Sequence, residues 1–455
     1  MTRFFSAVPL LAGLAAVLAQ PAAAQMFNPK LFTLANGLQV IVVERPGAAA
    51  VQQMLVYKAG SADEPAGKSG IAHYLEHLMF KGTPQTPPGV FDREAARFGG
   101  RQNAYTIFDQ TAYHQTVPVS QLAEMMRLEA DRMKGLALSE ANSRPELDVV
   151  LQERRQRTDT PPSGRLSEQA NAVMYVHSPY GTPVIGWEEE IRGLTWQDAV
   201  AFHQRWYAPN NAVLIVDGGV SADEVKRLAD GTYGLLPART VPARLRAAEP
   251  PKVAEVRLEQ QHPAVRDASF TRRWLAPSLG EAFTGPDSAR QERLTEAYAL
   301  QVLGEILGGG ARSRLHGALV LEQGLASSAA AGYDPLRLGV SGFTVWATPA
   351  RGVDPQKLEA AVAAEIDRLL KDGVTAAEVA GAIRRLEAST AYSLDGIGTA
   401  GRVFAAAVAA EIPVAEVEAW PQRIRAVTAE QVTAAARRIL SRPTVVTWLK
   451  PREQA

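Results

Sequence analysis

Two histidines four residues apart with a glutamate between them, His73-Tyr74-Leu75-Glu76-His77, form the stretch of this chain whose residue types and spacing point to chemistry. On a helix, a four-residue offset stacks both imidazoles on one face, one turn apart, where their nitrogens can reach a single cation. Neutral imidazole is a favoured zinc ligand. Glu76 projects from a neighbouring azimuth and can hold a water instead of the metal, which is a hydrolase arrangement. A bare His-x-x-x-His is more often two polar surface residues. The inserted Glu, in a chain with only seven histidines, favours the metal reading.

A helix is what this spacing needs, and the flanking residues predict one. Gly70 precedes it, Ile71, Leu75 and Leu78 are apolar at i, i+4 and i+7, and Lys81-Gly82 followed by Pro84 ends it. Upstream, residues 31–43 read as a hairpin around Asn36-Gly37 and residues 51–58 as a strand, while the polar loop 60–70 delivers the chain to the helix. Downstream, residues 91–98 read as a helix, 102–117 as one extended run, and 121–133 as an amphipathic helix carrying Leu122, Met125, Met126 and Leu128. Ser143 with Glu146 is a capping-box signature that starts the next helix, with Pro145 in its first turn and Leu147, Val150 and Leu151 as its buried stripe. On it, Glu146 and Glu153 lie two turns apart along one face. Such a pair is usually a solvated flank, but here a histidine pair upstream still lacks a third ligand.

The remainder reads as two like halves. Residues 193–218 predict a helix, a Pro209-Asn210-Asn211 turn and a strand, and residues 427–448 repeat the pattern. Placing Thr195 on Thr428, an offset of 428 minus 195 or 233 residues, also brings Arg205 onto Arg438. The Pro-, Ala- and Arg-rich segment 236–252 is the expected linker, between lobes at 25–235 and 253–455. The second lobe is expected to open on a strand at 253–258 and to carry helices at 294–307, 355–371 and 375–392. Gly308-Gly309-Gly310 lacks the Gly-Lys-Ser/Thr ending of a phosphate loop and reads as a helix stop.

At 455 residues the chain exceeds a single usual core. Its 48 basic and 48 acidic residues balance, which gives no sign of nucleic acid as a partner. Arg3, the apolar run 4–18 and Ala22-Ala23-Ala24 read as an export signal at 1–24, too short to span a bilayer, and no later stretch is long enough. A soluble periplasmic protein beginning near Gln25 is expected. With no cysteine, disulfides and thiolate metal sites are excluded, so nitrogen and oxygen donors must hold any zinc.

His-x-x-Glu-His inverts the common zincin order, and this sequence resembles the pitrilysin (inverzincin, M16) family of zinc peptidases, which includes mitochondrial processing peptidase. Leu34-Ala35-Asn36-Gly37-Leu38, Gly60-Ser61-Ala62-Asp63-Glu64, the stretch 70–83, Asn103-Ala104-Tyr105-Thr106, Gly181-Thr182-Pro183 and the Tyr207-x-Pro-Asn-Asn segment carry the likeness across the chain. The resemblance implies an α+β fold of two homologous lobes, each a mostly antiparallel sheet packed with helices, together half of a clam-like chamber. It implies Glu153 as third ligand of one zinc per chain, 153 minus 77 or 76 residues after His77. Glu146 then supports the site without binding metal, and the Asn103-Ala104 strand receives an extended peptide by main-chain pairing. Glu76 would take a proton from the attacking water and pass it to the leaving amine.

One departure stands out. Anchored on Gly324-Leu325-Ala326, the family positions whose Arg and Tyr grip substrate hold Val320 and Ser327. Tyr333 and Arg337 lie nearby at a different spacing. The expectation is a zinc-bearing subunit whose homologous partner supplies Arg and Tyr, a heterodimer rather than a homodimer. The competing readings are a non-catalytic assembly subunit, disfavoured because both histidines and both glutamates of the site are present, and a hydrolase of non-peptide amides, for which a peptide-pairing edge would have no use. His114, His177, His203, His262 and His316 have no ligand-like spacing and are expected to be structural or exposed.

Overall fold

The computed structural model describes residues 26–452, and the export signal expected at 1–24 lies outside the described residues. Two sheets organise the chain. The first contains β1 (Lys30–Thr33), β2 (Gln39–Glu44), β3 (Ala50–Tyr57), β4 (Arg101–Thr106), β5 (Thr111–Pro118) and β6 (Ala212–Gly218), in the order β1-β2-β6-β3-β5-β4. The second contains β7 (Val256–His262), β8 (Ser269–Ala276), β9 (Ala326–Tyr333), β10 (Ser341–Pro349) and β11 (Val445–Pro451), in the order β7-β11-β8-β10-β9.

With β1 set aside, the two orders coincide. In each sheet the last strand of the set enters parallel to the first and antiparallel to the second: β6 lies between β2 and β3, and β11 between β7 and β8. The helices leading into those strands also match. Trp196–Trp206 opens on a capping box of Thr195 and Asp198, and Ala429–Leu440 on one of Thr428 and Gln431. The fold is thus mixed α+β, with two lobes of like topology.

The lobes exchange helices. Val51, Leu55 and Tyr57 on one face of β3 pack in a core with Leu122 and Met125 of the helix Leu122–Lys134, whereas Met54 and Val56 on the other face join Phe404 of the helix Thr399–Ala409, from the opposite half of the chain. In return, the helix Pro162–Met174 lies on β7 and β11 and buries Ala170 and Met174 beside Val445. Each lobe therefore covers one sheet face of the other.

Residues 237–255 contain no helix or strand, yet they do not behave as a loose tether. Arg246 donates from Nε to Asp109 Oδ1 (2.9 Å) and from Nη1 to Asp63 Oδ1 (2.8 Å), with its side chain buried. Asp109 Oδ2 also accepts Tyr180 Oη–H (2.7 Å) and the Leu338 amide (3.1 Å), so one carboxylate joins both lobes and the crossover. Removing Asp109 leaves the buried Tyr180 Oη–H and the Leu338 amide without this acceptor, while Arg246 keeps Asp63. Asp109→Ala is expected to destabilise the fold by about 2–4 kcal/mol, read as a lower denaturant midpoint; an unchanged midpoint would show that this network contributes nothing.

Three sequence expectations are corrected. Residues 102–117 are a hairpin, β4 and β5, with Ile107 N donating to Gln110 O (2.9 Å) across a turn that lacks glycine and so gave no turn signal. The helix expected to start at Ser143 runs from Glu140 to Arg154, because Ser139 is its N-cap and Asn142 Oδ1 accepts the Ser139 amide (2.8 Å). Pro145 is consequently interior, and Glu146 turns toward the histidines instead of capping. The strand expected at 253–258 is β7, beginning at Val256, while Val253 is 95% exposed.

Candidate metal centre

The histidine helix Ile71–Leu78 begins after Gly70, whose φ of 86° suits glycine, and Glu64 accepts the first amides, Gly70 N (3.0 Å) and Ala72 N (2.9 Å). Ile71, Leu75 and Leu78 are buried, which fixes the rotation of the helix and turns His73 and His77 the same way. Tyr74 Oη–H donates to Ser143 O (2.8 Å), tying this helix to Glu140–Arg154. That tie brings the Glu146–Glu153 face opposite the histidines.

One donor atom each of His73, His77 and Glu153 lie within 4.8 Å of one another. Glu153 Oε2 is 3.6 Å from His73 Nε2 and 3.3 Å from His77 Nε2. Tetrahedral zinc with bonds of about 2.0–2.1 Å separates its donors by about 3.3 Å, so the set fits zinc by spacing and by donor chemistry. Burial first, then the charges of His77 and Arg157, push the His73 imidazole down to about 3, which keeps it neutral as a ligand must be. The His73 Nδ1 atom is buried without a partner among the described residues.

Glu146 lies behind His77. His77 Nδ1–H donates to Glu146 Oε1 (2.9 Å), an assignment that leaves the Nε2 lone pair facing Glu153. Burial pulls the His77 ring down, but the Glu146 bond and the charges of Glu76, Glu146 and Glu153 outweigh it and raise the ring above its ordinary value. The hydrogen bond from His77, opposed by burial and reinforced by Lys81, holds the Glu146 carboxyl low. Lys81 caps the other Glu146 oxygen, Oε2.

Two further partners were not foreseen. Arg157 Nη1 binds Glu153 Oε1 (2.6 Å), so Glu153 presents a single oxygen, Oε2, to the histidines. Arg157 belongs to a π-helical turn, Arg155–Asp159, of the kind often found at functional sites. Thr106 Oγ1–H donates to Glu76 Oε2 (2.6 Å), and burial pushes the Glu76 carboxyl above its usual range, with the Thr106 bond opposing it. The i, i+4 spacing of Glu153 and Arg157 was a usable signal; nothing local pairs Thr106 with Glu76, thirty residues away.

These groups line one open cleft of about 940 Å³ that also contains Asn103, Ala104, Val184 and Ile185. β4 pairs only with β5 and ends its sheet, so its outer edge has no strand partner among the described residues. Asn103 is exposed and its Oδ1 accepts the Ala104 amide (2.9 Å). In the second lobe, Ser327 is exposed and Val320 half-buried. Tyr333 Oη–H is spent on Pro277 O, and Arg337 donates to Asp334 (2.9 Å) while lying over Phe108 and Tyr180, so both side chains are already engaged. His203 is buried, and desolvation pushes it down to about 4, as a structural histidine.

Comparison with known proteins adds an independent finding. A family model described as Insulinase (Peptidase family M16) matches residues 39–187, and one described as Peptidase M16 inactive domain matches 193–386. The zinc protease PqqE of Helicobacter pylori is 34% identical over 361 residues, covering 78% of each chain. An uncharacterized zinc protease of Mycobacterium tuberculosis is 30% identical over 427 residues, covering 93% of each. The crystal structure of a protease from Helicobacter pylori superposes with a TM-score of 0.84 at 28% identity, over 94% of this chain and 100% of that one.

Proposed function

Because the chain belongs to the M16 peptidase family, we propose that it is a zinc-dependent endopeptidase acting on peptides or unfolded segments. One observation carries the reading: two imidazole nitrogens and one carboxylate oxygen converge to within 4.8 Å beside a buried carboxylate in an open cleft. In it His73, His77 and Glu153 hold one zinc per chain. Bound there, zinc would polarise the scissile carbonyl and bring the attacking water's pKa to about 7.

The rest is done by side chains of this protein. Glu76, with Oε2 occupied by Thr106, offers its other oxygen to the water proton as the water attacks the carbonyl carbon. The same proton then passes to the leaving amine as the C–N bond breaks. The β4 edge at Asn103 and Ala104 aligns an extended peptide by main-chain pairing, which selects for an unfolded segment over a particular side chain. Glu146 and Lys81 orient His77. Glu146→Gln is expected to weaken zinc binding by about 10- to 100-fold, measured by competition with a chelator; unchanged affinity would remove Glu146 from the site.

A homologous partner supplying Arg and Tyr completes the reading, supported by Val320 and Ser327 standing at the two grip positions. Purified chain should cleave peptides poorly and gain activity when mixed with such a partner. Full activity as a homodimer contradicts this. Export to the periplasm belongs to the same reading and rests on the apolar leader in the sequence.

A further inference from the structure

A second cleft, of about 390 Å³, opens on the face of the second sheet beside the end of the Pro162–Met174 helix. Its floor follows from strand register. Arg273 on β8 faces Thr344 on β10, and Thr344 faces Gly332 on β9; one row along, Leu275 faces Gly342. Two glycines and a threonine leave the floor hollow. A Cβ at Gly332 would come within 3.2 Å of the Trp346 ring, so glycine there lets the indole lie close against β9, where it is 43% exposed.

The charge in this cleft is unbalanced. The Arg273 guanidinium donates to Asn171 Oδ1 (2.9 Å) and has no carboxylate partner within 4.0 Å among the described residues. The adjacent Arg272 faces Glu255 and Glu359 at 3.6 and 3.7 Å. Asp334, the acidic residue lining the cleft, is engaged by Arg337 at 2.9 Å. A half-buried arginine with one amide acceptor and no counter-ion recovers only part of the solvation it loses, and a planar guanidinium matches a carboxylate in two-point geometry.

We propose that this cleft is a subsite for a peptide carboxylate, bound by Arg273 with the adjoining apolar part of the residue resting on Trp346. That the ligand is a peptide rests on the peptidase reading, and on position: Thr106 lines the metal cleft, and Phe108, two residues on, lines this one. Both clefts thus border the β4–β5 hairpin. The carboxylate is that of an acidic side chain or of a chain end, the same chemistry for Arg273.

The test uses full-length Glu76→Gln protein, so that binding is read without turnover. Fluorescence anisotropy compares labelled extended peptides that differ only as Glu against Gln, and as free against amidated C-terminus. One of the two carboxylate forms should bind about tenfold more tightly or better than its neutral twin, and which pair responds identifies the source. Arg273→Met should abolish the preference while leaving zinc content and the neutral peptide's affinity unchanged, and Arg273→Lys should restore part of it. Thr344→Glu, which keeps Arg273 and sets a carboxylate opposite it, should abolish the preference too and guards against misfolding of the Met variant. A carboxylate peptide that binds no better than its neutral twin, or does not bind, overturns the proposal, as does a preference that survives both substitutions. Zinc content and hydrolysis by the unmutated protein are scored separately, so loss of this subsite and loss of the peptidase reading give different results.

Discussion

Glu76→Gln is expected to reduce peptide cleavage by about a thousandfold or more while zinc content stays unchanged, measured on whichever assembly cleaves, the chain alone or with its partner. The substitution keeps shape and keeps an oxygen to accept from Thr106 Oγ1 (2.6 Å), but an amide cannot carry the water proton to the leaving amine. Burial already raises the carboxyl, which makes it a better base than an exposed glutamate. Neither effect touches the donors at His73, His77 and Glu153. Retained turnover would mean that Glu76 moves no proton and that the carboxylate has only a packing role.

Glu153→Ala should act on the metal itself. It removes the one oxygen lying 3.3 and 3.6 Å from the two Nε2 atoms and leaves a two-imidazole site. Losing one of three protein ligands, roughly a third of the 10–16 kcal/mol of a complete zinc site, predicts a fall in affinity of about a few hundredfold to several thousandfold. Turnover should fall with zinc content. Arg157→Ala, which frees only the far oxygen of Glu153, should cost less than about tenfold in zinc affinity. Equal effects of the two would indicate that Glu153 is held for its ion pair with Arg157 rather than as a ligand.

The histidine helix was legible because its chemistry and its hydrophobic spacing are local: Ile71, Leu75 and Leu78 set the buried face on which the rings ride. The duplication was legible because both capping boxes, at Thr195 and Thr428, survive with the strands they lead into. What escaped was set by contacts distant in sequence. Thr106 meets Glu76 only when β4 folds beside the helix, and Glu146, placed inside its helix by the earlier Ser139 cap, finds its partners in His77 and Lys81, more than sixty residues away. The exchange of helices Pro162–Met174 and Thr399–Ala409 between lobes has no periodic signature, since an apolar stripe does not say which sheet it covers. Composition marked 236–252 as a linker without revealing that Arg246 is buried between Asp63 and Asp109.

Anomalous diffraction at the zinc edge, on crystals of the purified chain, tests the central assignment most directly. The expected result is one peak per chain, bonded to His73, His77 and Glu153 and absent from Glu153→Ala crystals. No peak there, or zinc bound by other residues, would contradict it.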